Sequence, residues 1–275
     1  MGKLDGKVAF ITGAARGQGR SHALELAKEG ADIIAVDACR QIDTVPYSTA
    51  TPDDLAETVR QVEALDRRIL ASEVDIRDFD GLKRAADDGV AALGRIDIVL
   101  ANAGISTMAP TLEMTDEMWT TMIDVNLTGQ WRTVKAAVPH IVAGGRGGSV
   151  VLTSSLAALW ANENIAHYSA AKAGLVGFMR VLAKELAPES IRVNTVHPTT
   201  VATDMILNDA TYRLFRPDLE NPTLEDFNEA ARTLNALPIP AIESVDISNA
   251  ILYLVSDDGR YVTGTQHVVD AGGRL

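Results

Sequence analysis

This 275-residue chain has a single cysteine, Cys39, so no internal disulfide can staple it. One cysteine fits a reducing compartment and cannot build a thiolate metal site. The five histidines, at 22, 140, 167, 197 and 267, lack ligand spacing, so no metal centre is expected. Positive charge is in the minority: 25 Lys and Arg against 37 Asp and Glu leave a formal net charge of −12. A field of that sign repels phosphate, which argues against general binding to nucleic acid or anionic membrane. There is no apolar run of about twenty residues to span a bilayer. The start of the chain lacks the charged, apolar, small-residue pattern of a signal peptide, and the ends lack myristoylation and prenylation signals. These absences together imply a cytoplasmic protein.

The chain also lacks a divider. No stretch rich in Gly, Ser or Pro splits it, so residues 1–275 read as one domain. Short aliphatic and β-branched runs occur at Val8–Ile11, Ile33–Val36, Ile69–Val74, Ile96–Leu100, Val150–Leu152, Ile191–Val196 and Gln266–Val269. Helical spacing fills the intervals: Leu55, Val59, Val62 and Leu65 share one face, as do Ile247, Ile251 and Leu254. Strands alternating with helices predict an α/β fold, a doubly wound seven-stranded parallel sheet of Rossmann type. Two connections are too long for economy, an insertion at about 38–52 and a segment at about 199–242 that contains four prolines. Both begin at carboxyl ends of strands, where ligands bind in such sheets.

The first strand runs into Thr12-Gly13-Ala14-Ala15-Arg16-Gly17-Gln18-Gly19 and then a helical segment. Glycines there let the backbone approach a pyrophosphate, and the helix N-terminus offers free N–H groups and a positive dipole end. An acidic residue, Asp37, closes the second strand, which strengthens the dinucleotide reading. Its carboxylate can accept the adenosine ribose hydroxyls and repels the extra phosphate of NADP. Arg16 argues the other way, but it can turn to solvent, so NAD is the expected cofactor. Asp75-Ile76 can meet the adenine, and Asn102-Ala103-Gly104 can line the cofactor cleft. Each of these is equally readable as an ordinary turn.

Tyr168 and Lys172 are one helical turn apart and share a face. A free phenol, with a pKa about 10, is a sluggish base near neutrality. An adjacent ammonium and a positive nicotinamide ring would both lower it. Ser155, beyond the strand Val150–Leu152, can hold a substrate oxygen at a set distance, with Ser154 its rival by position. No Gly-x-Ser-x-Gly elbow surrounds Ser155, which argues against a nucleophilic serine.

Taken together, Thr12-Gly-x-x-x-Gly-x-Gly19, Asn102-Ala-Gly104, Asn126, Ser155 and Tyr168-x-x-x-Lys172 resemble the short-chain dehydrogenase/reductase family over nearly the whole chain. The resemblance implies Tyr168 as general acid/base, Lys172 as its electrostatic partner, Ser155 as substrate orienter and Asn126 as keeper of a proton-relay water. The family's Ser–Tyr interval selects Ser155 over Ser154. It counts Pro198 among the cofactor-binding residues and places Val201 at the nicotinamide carboxamide and Thr203 near the pyrophosphate. Where the family often has Pro-Gly, this chain has Pro198-Thr199, which puts a left-handed backbone there in doubt. The family implies a homotetramer, built through the helices of Asn126 and Tyr168 and the C-terminal strand edge.

The insertion Ala38–Pro52, with Gly17-Gln-Gly-Arg-Ser-His22 and His197-Pro-Thr199, is similar to the mycofactocin-coupled, carveol dehydrogenase-like subgroup. That likeness implies an NAD buried under the insertion and re-oxidised in place by an external redox carrier. The loop's length and exit point suggest that Ile42, Val45 and Tyr47 pack over the adenosine, with an inert surface excursion as the alternative. The second long connection, with Met205, Ile206, Leu207, Tyr212, Leu214 and Phe215, reads as a substrate lid. With Trp160 it suggests a hydrophobic secondary alcohol, such as a cyclic terpenoid, and its ketone. Two other readings remain open: a ketone reductase for acyl-carrier or steroid substrates, and a catalytically silent NAD-binding scaffold.

Overall fold

The computed structural model describes residues 2–275. Its strands are β1 (Val8–Thr12), β2 (Asp32–Asp37), β3 (Ile69–Glu73), β4 (Ile98–Ala101), β5 (Gly148–Thr153), β6 (Ile191–Pro198) and β7 (Gln266–Val269). Its α-helices are α1 (Gly17–Lys28), α2 (Pro52–Glu63), α3 (Phe79–Leu93), α4 (Asp116–Ile123), α5 (Gln130–Gly144), α6 (Ala166–Leu186), α7 (Asp209–Phe215), α8 (Leu224–Arg232) and α9 (Ser244–Val255). All seven strands are parallel, in the order β3-β2-β1-β4-β5-β6-β7.

The two-residue period of a strand makes the two core layers. On β1, Val8 and Phe10 enter one layer while Ala9 and Ile11 enter the other. The first layer is closed by Leu82 of α3, Val134 of α5 and Leu175 of α6. The second is closed by Leu26 of α1, Leu55 and Val62 of α2, and Ile247 and Ile251 of α9. A sheet covered on both faces explains why its central strands read as unbroken apolar runs.

The strand ends differ from the sequence expectation for local reasons. β4 begins at Ile98, because Asp97 is a buried junction. Its carboxylate accepts from Val8 N at 2.9 Å and pairs with Arg95. β6 runs on to Pro198, which pairs with Val269 of the edge strand β7. Thr199 takes no left-handed φ, so the missing glycine costs no strain there.

The chain order reverses on either side of β1, so the crevice opens at the carboxyl ends of β1 and β4. Both long connections converge on it. The insertion returns to helix at Thr51, whose side chain caps α2 in a reciprocal pair with Asp54. The second connection carries α7 and α8. Its base is pinned where Val201 pairs with Ile242. No helix among the described residues is long and apolar enough to cross a membrane.

Candidate active site

One cavity of about 620 Å³ runs along the crevice. Of the residues that the sequence nominated for catalysis or for holding the cofactor, Asn126 and Val45 stand back from it, while Gly13, Arg16, Gly17, Gln18, Gly19, Asp37, Asp75, Ile76, Asn102, Ala103, Gly104, Ser155, Tyr168, Lys172, Pro198, Val201 and Thr203 border it. The elements bring together residues separated by up to 190 positions.

The glycine loop is built for close approach. Gly13 and Gly17 have φ of 69° and 54°. A Cβ on Gly19 would lie 1.8 Å from the Gly13 carbonyl oxygen, so only glycine fits. Arg16 precedes α1 with no side-chain cap, and the first turn holds no acidic residue. The orphan N–H groups of α1 therefore face the cavity mouth without a competing anion. Nearby, Gln18 Oε1 is buried and lacks a partner, although Gln18 borders the cavity.

Asp37 sits at the end of β2. Its Oδ2 accepts from Ala15 N at 3.0 Å and its Oδ1 from Cys39 N at 3.2 Å. Burial pushes its pKa up, opposed by these backbone donors and by the charge of Arg16. A carboxylate has about four lone-pair sites, so capacity remains for two hydroxyl donors. These features fit a dinucleotide: uncapped N–H groups for a pyrophosphate, a glycine cradle, and a carboxylate for ribose hydroxyls.

Arg16 does not turn to solvent, as the sequence reading allowed. Its Nη1 pairs with Asp204 Oδ2 at 3.0 Å and its Nη2 donates to the Ser48 carbonyl. Asp75 is likewise committed. Arg77 Nη2 and Arg40 Nη2 both contact its Oδ2 at 2.7 Å. Burial works against this carboxylate, but the two arginines hold its pKa down to about 2. Its side chain is therefore not free to meet an adenine, and Ile76 forms the wall instead.

The insertion lies as a strap along the end of the cavity that Asp37 borders. Ile42 and Tyr47 border the cavity, whereas Val45 is buried in the core beneath and does not line it. The Tyr47 hydroxyl accepts from Ser106 N at 3.0 Å, on the segment that follows Gly104. Gln41 braces the strap from inside, donating to the carbonyls of Ile42, Val45 and Tyr47 and accepting from Thr49 N.

At the other end, α6 carries Tyr168 and Lys172. Lys172 is buried, its Nζ donates to Thr153 O at 2.8 Å, and it lies 5.5 Å from the centre of the Tyr168 ring. Burial pulls the lysine down to about 7. It pushes the Tyr168 phenol up, with the Ser155 hydroxyl hydrogen-bonded to it acting in the opposite direction. The expected lowering of Tyr168 by its lysine gives way to a raised pKa, with burial of the phenol as the main cause. Ser154 is not a rival, because its hydroxyl is spent on Lys172 O at 2.9 Å. Ser155 stays at the cavity wall, and His197 Nδ1 hydrogen-bonds its carbonyl at 2.9 Å.

Asn126 stands one layer back, in a π-helical turn between α4 and α5. Its Oδ1 accepts from Ile105 N and its Nδ2 donates to Ile105 O, both at 2.8 Å. A Cβ on Gly104 would come within 3.1 Å of Asn126 Oδ1 and 3.4 Å of Lys172 Nζ. Asn126 therefore fixes the strand-end segment that passes in front of the lysine.

Several lining residues escaped the sequence reading. Met108, Asn162, Glu163 and the C-terminal Gly273 all face the cavity. Only the polar run Asn162–Asn164 just before α6 carried any local signal. Asp204 escaped too, though it follows Thr203 directly.

A sequence profile for "short chain dehydrogenase" matches residues 7–211. The chain belongs to the short chain dehydrogenase family. It is 56% identical to the (−)-trans-carveol dehydrogenase of Rhodococcus erythropolis, covering 100% of both proteins. Among solved structures it matches a carveol dehydrogenase from Mycobacterium avium in complex with NAD, at 56% identity and a TM-score of 0.99, covering 100% of both chains. It also matches a short chain dehydrogenase from Mycobacterium paratuberculosis bound to NAD, at 47% identity and a TM-score of 0.90 over 99% of each chain.

Proposed function

We propose that this short chain dehydrogenase interconverts a hydrophobic secondary alcohol, of the cyclic terpenoid class that includes carveol, and its ketone, using NAD. The observation that carries the reading is the single cavity that joins a dinucleotide cradle to Ser155, Tyr168 and Lys172. NAD, when bound, accepts the hydride from the alcohol carbon or returns it to the ketone.

The chain's own residues manage the proton and the geometry. Tyr168 Oη takes the hydroxyl proton during oxidation and gives it back during reduction. Ser155 Oγ hydrogen-bonds the substrate oxygen and fixes its position beside the phenol. Lys172, whose pKa burial lowers, favours the phenolate of Tyr168 when charged. Asn126 holds the Ile105 backbone and, through it, a place for a relay water. Asp37 would receive the adenosine ribose hydroxyls and would repel an added phosphate. The lid contributes Met205, Ile206, Leu214 and Phe215 to the substrate end, with Trp160 opposite, and this apolar lining favours a hydrophobic alcohol over a short polar one.

A reductase of acyl-carrier or steroid ketones is the second reading; Asp37 disfavours the NADPH that many such enzymes use. A silent scaffold is the third, and the intact Ser155–Tyr168–Lys172 set speaks against it. Retention of NAD under the strap is supported by Tyr47 and Ile42 on the cavity wall, and an NAD that stays bound would call for re-oxidation in place by a carrier such as mycofactocin. A homotetramer is supported by half-exposed Trp119 and Trp131 on α4 and α5 and by the open edge of β7. A cytoplasmic location accords with the lone cysteine and the acidic balance.

Replacing Tyr168 by Phe tests the catalytic assignment. Turnover of carveol should fall by roughly 10²- to 10⁴-fold while NAD stays bound. Unchanged turnover overturns it. If the protein purifies free of NAD and turns over briskly on added NAD, the retention reading fails.

A further inference from the structure

The strap and the lid emerge from opposite halves of the sheet, one after β2 and the other after β6. They meet at one side chain. Arg16 Nη1 is 3.0 Å from Asp204 Oδ2 on the first arm of the lid, and Nη2 donates to the Ser48 carbonyl on the strap. The guanidinium is mostly covered, with 22% of the side chain exposed, whereas the Asp204 side chain is 66% exposed. The lid arm also touches the glycine loop directly: a Cβ on Gly17 would lie 3.3 Å from Thr203 Cγ2. The two residues after Asp204, Met205 and Ile206, border the cavity.

We propose that Asp204 is a positioning residue that acts through Arg16, latching the substrate lid to the cofactor strap so that the two open together. The proposal rests on the reading of residues 38–51 as a cover over NAD. Its content is a coupling. If the closed lid holds Arg16, and Arg16 holds Ser48, then substrate that closes the lid must also slow cofactor release. By linkage, bound cofactor must then favour substrate. The same pairing bears on cofactor choice, because it occupies the glycine-loop arginine that could otherwise meet an added phosphate. Its donors are directed at two acceptors within the chain, leaving the adenosine end to Asp37.

The ion pair is partly exposed, so its effect is modest and sensitive to salt. The test follows the loss of bound-NADH fluorescence after mixing the loaded enzyme with a large excess of ADP-ribose, which fills each vacated cofactor site and cannot carry a hydride. It is run with and without carveol, which forms a dead-end complex with the NADH enzyme. Wild type should release NADH more slowly when carveol is present. Asp204→Asn should release it about fivefold faster, lose most of the carveol effect, and raise KM for carveol more than it lowers kcat. Asp204→Glu should recover part of the slow release. Arg16→Gln combined with Asp204→Asn should be no faster than Arg16→Gln alone, because Asp204 acts through Arg16. Equal release rates and an equal carveol effect in wild type and Asp204→Asn overturn the latch. The retention reading fails separately, on the wild-type rate itself: fast release from wild type with a faster Asp204→Asn keeps the latch and discards retention.

Discussion

The strap beside Asp37 and the lid that carries α7 and α8 border one cavity and are built from opposite materials. The strap has no helix. It is held by a polar frame around Gln41, by the Arg40–Asp75 ion pair at 2.7 Å and by the Tyr47–Ser106 bond, and it sinks Val45 into the main core. The lid is two short helices with a small core of their own. Phe227 of α8 is fully buried, with the rings of Phe215 and Tyr212 centred 4.9 and 5.4 Å away. That aromatic cluster belongs to neither main core layer. A cover built from fixed hydrogen bonds suits one invariant ligand. A cover whose core is detached from the body can shift as a unit, which suits ligands that come and go.

The comparison breaks most sharply at Phe227. Phe227→Ala should cost about 3–5 kcal/mol of packing, all of it inside the lid. The lid helices should then melt locally while the sheet stays folded. Expected results are a loss of at least roughly tenfold in kcat/KM for carveol and a small change in the thermal midpoint. NAD content should hold, because Val201 and Ala202 remain tied to Ile242 below the helices. A large drop in the midpoint instead would show that lid and body share one cooperative unit. Gln41→Ala is the matching cut in the strap. It removes several bonds of a partly exposed frame, about 1–2 kcal/mol in all. NADH release should quicken by roughly tenfold, with KM for carveol affected much less. A change of KM as large as the change in release would erase the distinction between the two covers.

The sequence revealed the sheet and the cleft better than it revealed the covers. Seven strands and their parallel order follow from periods of hydrophobicity, and these act locally. The glycine loop, Asp37, Ser155 and Tyr168-x-x-x-Lys172 are legible because chemistry demands those residue types at those spacings. Electrostatic balance was not legible. The sequence suggests that Lys172 lowers Tyr168, but burial, which depends on everything packed around α6, raises the phenol and lowers the lysine. Nor was the commitment of Arg16 and Asp75 legible, since their partners Asp204, Ser48 and Arg40 lie on irregular segments with no periodicity to read. Val45 was misplaced for a related reason: apolar residues on a strap divide between ligand and core only once its path is known.

The smallest effect, and the finest distinction, lies at Tyr47. Two phenols now border one cavity, and both are shifted upward by burial. Tyr47 reaches about 12, against the Ser106 N–H that draws it down. Tyr168 is the one with a buried lysine beside its ring and Ser155 bonded to it. Tyr47 therefore remains a neutral phenol at any working pH, and its hydroxyl serves as an acceptor that ties the strap to Ser106. Tyr47→Phe removes that acceptor and keeps the ring, at a cost of about 1 kcal/mol. NADH should leave roughly fivefold faster, and the pH dependence of carveol oxidation should keep its shape. A shifted pH profile in Tyr47→Phe would mean that the strap phenol shares the proton with Tyr168, and the division between a structural cover and a chemical floor would have to be redrawn there.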